Sequence, residues 1–454
     1  MGAVSPPVRA PSHLLDTRCE DTPMVRLPMV LVATAGVGLM LAGSGPPAAT
    51  ASPGVPADAD YPVVLAGHAV LPALTLLDSP PDVPDGLRIS GKFAAPPPTG
   101  DVMWPLMGQP AQGHSAIRRD DDGTFWILTD NGAGAKVNSA DFMLHLSRYR
   151  VDFGSGEFTR VHTVFLRDPL EAAPFRIVTD GTAARYLTGA DFDPESLHFA
   201  DGHIWIGDEF GPYLLKFDAE GRLLAVIDTL IDGQTAQSPD HPRGPGAVGV
   251  MRSKGLEAMA GSPDGDLLYP MLEGPLVGEP DPRAVRILEF DIAAERWTGR
   301  HWDYHLERDG NAIGDFTMVD ATTALVIERD GGFGTADKKC PPGERRADCF
   351  ADPALFKRIY KIEMGEDRVG GAVRKIGFSD LMSVADPRGL SRVPLTDGVF
   401  TFPFATIESI DLVDDDRIVI GNDNNLPYSR SREPGRLDDN ELVLLDVSAL
   451  LAAG

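Results

Sequence analysis

The chain is short of positive charge. It carries 41 Lys and Arg against 67 Asp and Glu, for a formal net charge of −26. A nucleic-acid phosphate backbone needs a basic face, so nucleic acid is excluded as a partner. Cysteine is scarce too, three in 454 residues, and no histidines stand at ligand spacing beside them, which leaves a zinc site without support. There is no Gly-x-Ser-x-Gly elbow, P-loop, dinucleotide glycine fingerprint or His-Glu-x-x-His. A serine-hydrolase mechanism therefore has no footing. Gly331-Gly332-Phe333-Gly334 is glycine-rich but follows an acidic strand end, and reads as a rim turn. Helical periodicity is rare, with Asp352 to Leu355 and Val447 to Ala453 the best local candidates.

What is present suits a turn-rich β protein: 48 glycines and 39 prolines spread along the chain, with 43% hydrophobic residues. Near the start, Met24-Val25-Arg26, the apolar stretch Pro28 to Ala42 and Ala49-Thr50-Ala51 together read as an export signal with a small-x-small cleavage site. Asp16, Glu20 and Asp21 in the preceding residues are foreign to such a signal, so Met24 is the expected translation start. The alternative is a retained anchor helix. Residues 1–51 are thus assigned to the leader, 52–60 to a Pro/Ala-rich spacer and 61–454 to the folded domain. No stable membrane insertion is expected once the signal is cleaved. Cys340 and Cys349, nine apart in an exported loop, are expected to pair as a structural disulfide.

A cassette recurs from His114 onward. A short strand carries a leading polar residue; an Asp/Gly turn and a second strand follow; about 13 to 16 positions on, a second polar cluster ends that strand. The copies are Gly113-His114-Ser115 with Thr129-Asp130-Asn131, Asp193-Pro194-Glu195-Ser196 with Gly207-Asp208-Glu209-Phe210, and Gly255-Leu256-Glu257-Ala258 with Leu272-Glu273-Gly274. Ile313-Gly314-Asp315-Phe316 goes with Ile327-Glu328-Arg329-Asp330, and Ile407-Glu408-Ser409 with Gly421-Asn422-Asp423-Asn424-Asn425. The turns, such as Asp121-Asp122-Gly123 and Asp201-Gly202, are hairpin signals. Third and fourth strands follow in places, as at Tyr213 to Asp218 and Leu223 to Ile227. Cassettes of this kind, recurring every 55 to 95 residues, predict the blades of an all-β propeller. Five cassettes are visible. The β-like runs Tyr61 to Leu65, Ala69 to Leu77 and Leu87 to Phe93 are expected to supply a sixth blade or part of one. Six blades is the favoured count, with five and seven open, and a pair of β-sandwiches is the alternative fold.

In a propeller, equivalent positions of successive blades meet around the axis. The candidate wall comprises Glu195, Asp208, Glu209, Glu257, Glu273, Asp315, Glu328, Asp330, Glu408 and Asp423, with Asn131, Ser196, Asn422, Asn424 and Asn425 beside them. Carboxylates so crowded are either partly protonated or neutralised by cations. Oxygen ligands without cysteine select Ca²⁺, with Mg²⁺ second. Asp208, Glu209, Asp315, Glu328, Glu408 and Asp423 are the expected metal ligands. Glu195 and Glu257 are assigned to catalysis, holding metal or orienting water. Arg329, with Lys254 in reserve, would stabilise phosphoryl oxygens, and His114 would act as a general acid or phosphate donor. The blander readings are turn-bracketing acids, an Arg329 serving only as a structural counter-ion, and a hydrogen-bonded rim histidine.

Phe192-Asp193-Pro194-Glu195-Ser196, Gly207-Asp208-Glu209-Phe210-Gly211-Pro212-Tyr213, Lys254-Gly255-Leu256-Glu257-Ala258, Gly314-Asp315-Phe316, Glu328-Arg329-Asp330, Thr406-Ile407-Glu408-Ser409 and Gly421-Asn422-Asp423-Asn424-Asn425 together resemble the phytase-like family, whose label is "esterase-like activity of phytase". The resemblance runs roughly from His114 to Leu445. It implies an exported β-propeller whose acidic residues carry phosphoesterase activity on a small phosphorylated substrate. The expectation is a monomeric, Ca²⁺-dependent phosphomonoesterase or phosphodiesterase. A Ca²⁺-dependent lactonase or carboxylic esterase is the second reading. A non-catalytic, calcium-stabilised propeller that binds a partner or a cell-surface polymer is the third.

Overall fold

The computed structural model describes residues 59–94, 102–244 and 246–454. The expected leader and nearly all of the spacer lie outside them. The described residues form one compact unit, in which five four-stranded antiparallel sheets are arranged as blades. From axis to rim, blade 1 is His114–Arg119, Phe125–Thr129, His145–Asp152 and Glu157–Phe165. Blade 2 is Pro194–Ala200, His203–Asp208, Tyr213–Phe217 and Leu223–Asp228. Blade 3 is Ala258–Gly261, Leu267–Met271, Ala284–Asp291 and Arg296–His305. Blade 4 is Ala312–Met318, Thr323–Arg329, Lys357–Glu363 and Arg374–Asp380. Blade 5 takes Ile407–Leu412, Arg417–Asn422 and Asn440–Asp446 from the end of the chain and Val64–Leu71 from its beginning.

That last pairing corrects the favoured blade count. Val64–Leu71 runs antiparallel to Asn440–Asp446, with Val64 opposite Asp446 and Leu71 opposite Asn440. Its backbone groups are satisfied as the outer strand of blade 5, so it cannot found a blade of its own. Leu87 to Phe93, expected as β, holds only an isolated bridge between Ser90 and Leu106. Each innermost strand packs against two others, in the order of blades 1, 2, 3, 4, 5 and back to 1. The ring closes with five blades among the described residues.

Turn chemistry places the first hairpin of each blade. In blade 1 Asp122 Oδ1 accepts from Thr124 N at 3.0 Å and Gly123 takes φ +80°; in blade 2 Asp201 and Gly202 turn through φ 49° and 71°. Burial then grades from axis to rim. Every residue of Ala312–Met318 is buried, whereas most of Glu157–Phe165 is exposed or half-buried. Phe316, Ile327, Ile407 and Ile420 are fully buried between blades, each contributing roughly 1.5–3 kcal/mol by burial. Asp352 to Leu355 is not helical: Leu355 N is held by Asp330 Oδ2 at 2.9 Å in a loop. The tail does carry a short helix, Ser448–Leu451.

A buried ion cluster seals the closing blade. Glu441 accepts from Arg432 Nε at 2.9 Å and Nη2 at 2.5 Å, and its Oε2 lies 3.1 Å from His68 Nε2. Arg432 also lies over the Phe400 and Phe404 rings. Burial opposes the Glu441 charge, yet Arg432 and then His68 overcome it, taking the carboxyl down to about 2.

Candidate metal centre and active site

The axis opens at one end into a cup of about 270 Å³. Two tiers of side chains line it, both set by strand register. The lower tier comes from β-bulges between first and second strands. Pairing jumps from Pro194 to Ser196 and from Ile407 to Ser409, leaving Glu195 and Glu408 unpaired. A bulge re-aims the extra residue out of the sheet, and both glutamates line the cup, as does Glu257 just ahead of Ala258–Gly261. In blade 1 the jump leaves out Ser115, and in blade 4 Gly314 and Asp315. Blade 4 thus has glycine where blades 2, 3 and 5 have glutamate. A side chain there has no room, because a Cβ on Gly314 would come within 1.9 Å of Ile407 O.

The upper tier lies at or just beyond the end of each second strand: Asp130, Glu209, Glu273, Arg329 and Asp423. Four blades offer a carboxylate and blade 4 a guanidinium. Asp193 also lines the cup, its oxygens held by Asn131 N at 3.2 Å and Nδ2 at 2.7 Å. Eight carboxylates (Asp130, Asp193, Glu195, Glu209, Glu257, Glu273, Glu408 and Asp423) therefore share the cup with two cations, Arg329 and Lys254.

Arg329 sits among Glu408 at 2.8 Å, Glu273 at 3.0 Å and Glu257 at 3.6 Å, and Lys254 pairs with Glu273. Burial works against the Arg329 charge, but Glu273, Glu408 and Glu257 outweigh it and hold the guanidinium above the ordinary arginine value. The carboxyls shift the other way. Burial first, then their neighbours' charges, raise Glu195, Glu209 and Glu257 well above the usual range. Burial and Asp130 lift Asp193 to about 8, and burial, against the pull of Arg329, leaves Glu408 at about 7. Asp423 rises well above its ordinary value and Asp130 to about 6, both chiefly by burial.

The residues present fit a hard cation. Oxygen atoms of Asp193, Glu195 and Glu209, and again of Glu209, Glu257 and Glu273, lie within 4.8 Å of one another. Glu257 Oε1 is buried and accepts no hydrogen bond among the described residues. An excess of anions, a buried oxygen that accepts no hydrogen bond and an all-oxygen donor set are what a Ca²⁺- or Mg²⁺-type ion relieves. These buried acidic clusters can hold a metal ion.

Of the charged and titratable residues singled out by sequence, Glu195, Glu209, Lys254, Glu257, Glu273, Arg329, Glu408 and Asp423 meet in the cup; five lie outside it, among them Asp330, which pairs with Lys357 at 2.9 Å. Asp208 turns back into blade 2, accepting from Asp193 N at 2.8 Å and Gly211 N at 2.7 Å. Glu328 faces the body of the protein, with all its bonds taken by Tyr304, Lys375, Asn311 and Glu307 N. Asp315 latches blade 4 to blade 5 through Ile410 N at 3.0 Å and pairs with Arg118 at 3.2 Å. Arg118 also donates to carbonyls of Ile117, Ile410 and Met259, on blades 1, 5 and 3, and so closes the axis beyond the cup. His114 lies against Tyr149, and burial, then His145, push it down to about 3, leaving a neutral ring. Asp130 and Asp193 line the cup although neither was singled out by sequence. Asp130 holds the same strand-end position as Glu209 and Asp423 and was legible from the repeat; Asp193 has no counterpart in the other blades.

Fold and site together define a five-bladed β-propeller with an acidic axial cup, open at one end. The family model for phytase-like proteins, described as esterase-like activity of phytase, matches residues 109–426, and the chain belongs to that family. An "uncharacterized secreted protein" of Arthroderma benhamiae is 32% identical over 114 residues, a match covering 20% of this chain and 22% of that one. The chain thus spans about a fifth of the length of that curated relative. Among solved structures, the periplasmic gluconolactonase of Pseudomonas aeruginosa is 15% identical with a TM-score of 0.31, over 76% of this chain and 92% of that one. The Dos1 propeller is 10% identical with a TM-score of 0.29, over 74% and 68%. Likeness at that level carries no inference about activity. No helix among the described residues is long and apolar enough to cross a membrane.

Proposed function

We propose that this protein is an exported, Ca²⁺-dependent phosphoric ester hydrolase acting on small organic phosphates in the axial cup. The observation that carries the reading is the charge imbalance of the cup: eight carboxylates, seven of them buried, face two cations, and one buried Glu257 oxygen accepts no hydrogen bond. Asp193, Glu195, Glu209, Glu257 and Glu273 would hold the ion. Bound there, the ion would supply positive field for a phosphoryl group and Lewis-acid activation of a nucleophile.

The chain's own residues supply the rest. Arg329, the one upper-tier cation, is fixed by Glu273 and Glu408 and presents guanidinium protons to phosphoryl oxygens. Lys254 at the rim adds a second donor. Glu408, bonded to Arg329 at 2.8 Å on the wall of the cup, is placed to take a proton from a water or return one to a leaving oxygen. The closed far end of the axis keeps bulk water to one mouth. Export is supported by the Cys340–Cys349 disulfide and by the secreted relative. A single chain forms the whole cup, which favours a monomer.

The test uses protein stripped with chelator and assayed on p-nitrophenyl phosphate, bis-p-nitrophenyl phosphate and a simple lactone, with and without Ca²⁺. Phosphoester turnover restored by Ca²⁺ and lost in Glu257→Gln is expected. Lactone turnover alone would replace this reading with a lactonase. Ca²⁺-dependent melting with no turnover would make the propeller a binding module.

A further inference from the structure

Beside the cup lies a second, larger cavity of about 660 Å³. Thr406 and Asn425 line both, and the two are joined by a hydrogen bond from Asn425 Nδ2 to Thr406 Oγ1 at 2.7 Å. We propose that this groove is the subsite for a planar aromatic substituent of the phosphoester whose phosphoryl group occupies the cup. The proposal rests on the phosphoester reading of the cup and names the substrate class for it.

Three aromatic rings, Phe333, Phe350 and Tyr428, stand among the groove's lining residues. Phe333 and Tyr428 are each 38% exposed and both line it. Phe333 stands edge-on to the buried Phe350 at 6.0 Å, the geometry that aromatic pairs prefer. The loop carrying Phe350 is pinned by the Cys340–Cys349 disulfide, by Cys340 N to Phe350 O at 2.8 Å and by Phe350 N to Lys338 O at 2.9 Å. Phe333 is fixed through its own N to Asp352 O at 3.0 Å. A ligand entering here meets surface that loses little freedom on binding.

The charges at the mouth say what kind of group enters. Arg345 pairs with Asp352 at 3.0 Å, and Arg346 pairs with Glu344 at 2.7 Å and Asp348 at 2.8 Å. Arg345 and Arg346 are met by acids of their own loop, and Arg430, also on the lining, donates Nη1 to Pro427 O at 3.0 Å and Tyr428 O at 2.8 Å. The groove's selectivity rests on flat apolar faces. The position also fits. The clustered metal-ligand oxygens come from blades 2 and 3, whereas Arg329 belongs to blade 4 and Asp423 to blade 5. A phosphoryl group held between them has the groove beside its blade 4 and blade 5 side.

The test is calorimetric binding to the full Ca²⁺-loaded protein of three non-hydrolysable probes: 1-naphthylphosphonic acid, methylphosphonic acid and neutral 1-naphthylmethanol. The naphthyl acid is expected to bind about tenfold tighter than the methyl acid. That gain should vanish in Phe333→Ala/Tyr428→Ala, and in Ala347→Trp, which fills the groove from its exposed rim. Methylphosphonate affinity and melting temperature, the controls for folding, should stay unchanged. Equal affinities for the two acids, or a naphthyl gain that survives both variants, would overturn the proposal while leaving the cup reading intact. If neither acid shows cup-dependent binding but 1-naphthylmethanol binds and is lost in both variants, the groove stands and the phosphoester reading falls.

Discussion

Two buried acidic sites in this molecule behave in opposite ways. At the blade closure, Glu441 is matched by Arg432 and His68, and its carboxyl falls to about 2. In the cup, eight carboxylates meet two cations, and burial drives most of the acids upward. Burial penalises a charge in both places; what differs is whether the chain supplies the opposite charge. Where it does, the carboxylate stabilises the fold. Where it withholds it, the fold keeps a deficit that a cation from outside can fill.

The comparison breaks most sharply at Arg329. Arg329→Leu removes the one guanidinium among Glu257, Glu273 and Glu408, and turnover of a phosphoester should fall by about 10²–10³-fold or more. Steady-state kinetics at saturating Ca²⁺ check this. Next come two glutamate-to-glutamine changes of opposite sign. Glu441→Gln leaves Arg432 buried without its partner and should cost about 3–5 kcal/mol in denaturant unfolding, with Ca²⁺ affinity unchanged. Glu257→Gln removes one of the crowded carboxyls whose charge burial and its neighbours oppose, so metal-free protein should melt at the same temperature or higher.

The pH dependence should separate the two sites as well. Glu441 has a lowered pKa, so its contribution is complete above the unfolded value near 4.5 and is lost as pH falls towards 2. Asp130, Glu408 and Asp193 have raised values of about 6, 7 and 8. In metal-free protein their contribution is present below pH 4 and is lost as pH rises through 6 to 8. Thermal melts should therefore show Ca²⁺ stabilising the protein more at pH 8 than at pH 5. Cys340→Ser/Cys349→Ser releases a short loop worth about 2–3 kcal/mol of chain order, a smaller loss than Glu441→Gln. It should leave the cation response of the melt intact.

Much of this was legible in the sequence, and the misses have a common physical source. The repeat phase brought Glu195, Glu257 and Glu408 together from distant blades, because each occupies the same bulge or strand-start position. It failed where one step along a strand reverses the direction of a side chain. Asp315 follows the bulge position of blade 4 rather than filling it: Gly314 stands there, and Asp315 becomes a latch to blade 5. Glu328 and Asp208 each precede the cup residue, Arg329 and Glu209, and so face the blade interior. Asp193 reaches the cup through a loop held by Asn131, which no periodicity reports. The blade count erred because an N-terminal strand that pairs with the C-terminal sheet leaves no local trace of that partner.

The most direct measurement is a Ca²⁺ titration of melting temperature on chelator-stripped protein, wild type beside Glu257→Gln. A cup built with surplus anions predicts a wild type that gains stability steeply with Ca²⁺, and a variant no less stable without metal but blunted in its response. A wild type indifferent to Ca²⁺, together with a variant that loses several kcal/mol, would mean the cup balances its own charge and holds no ion.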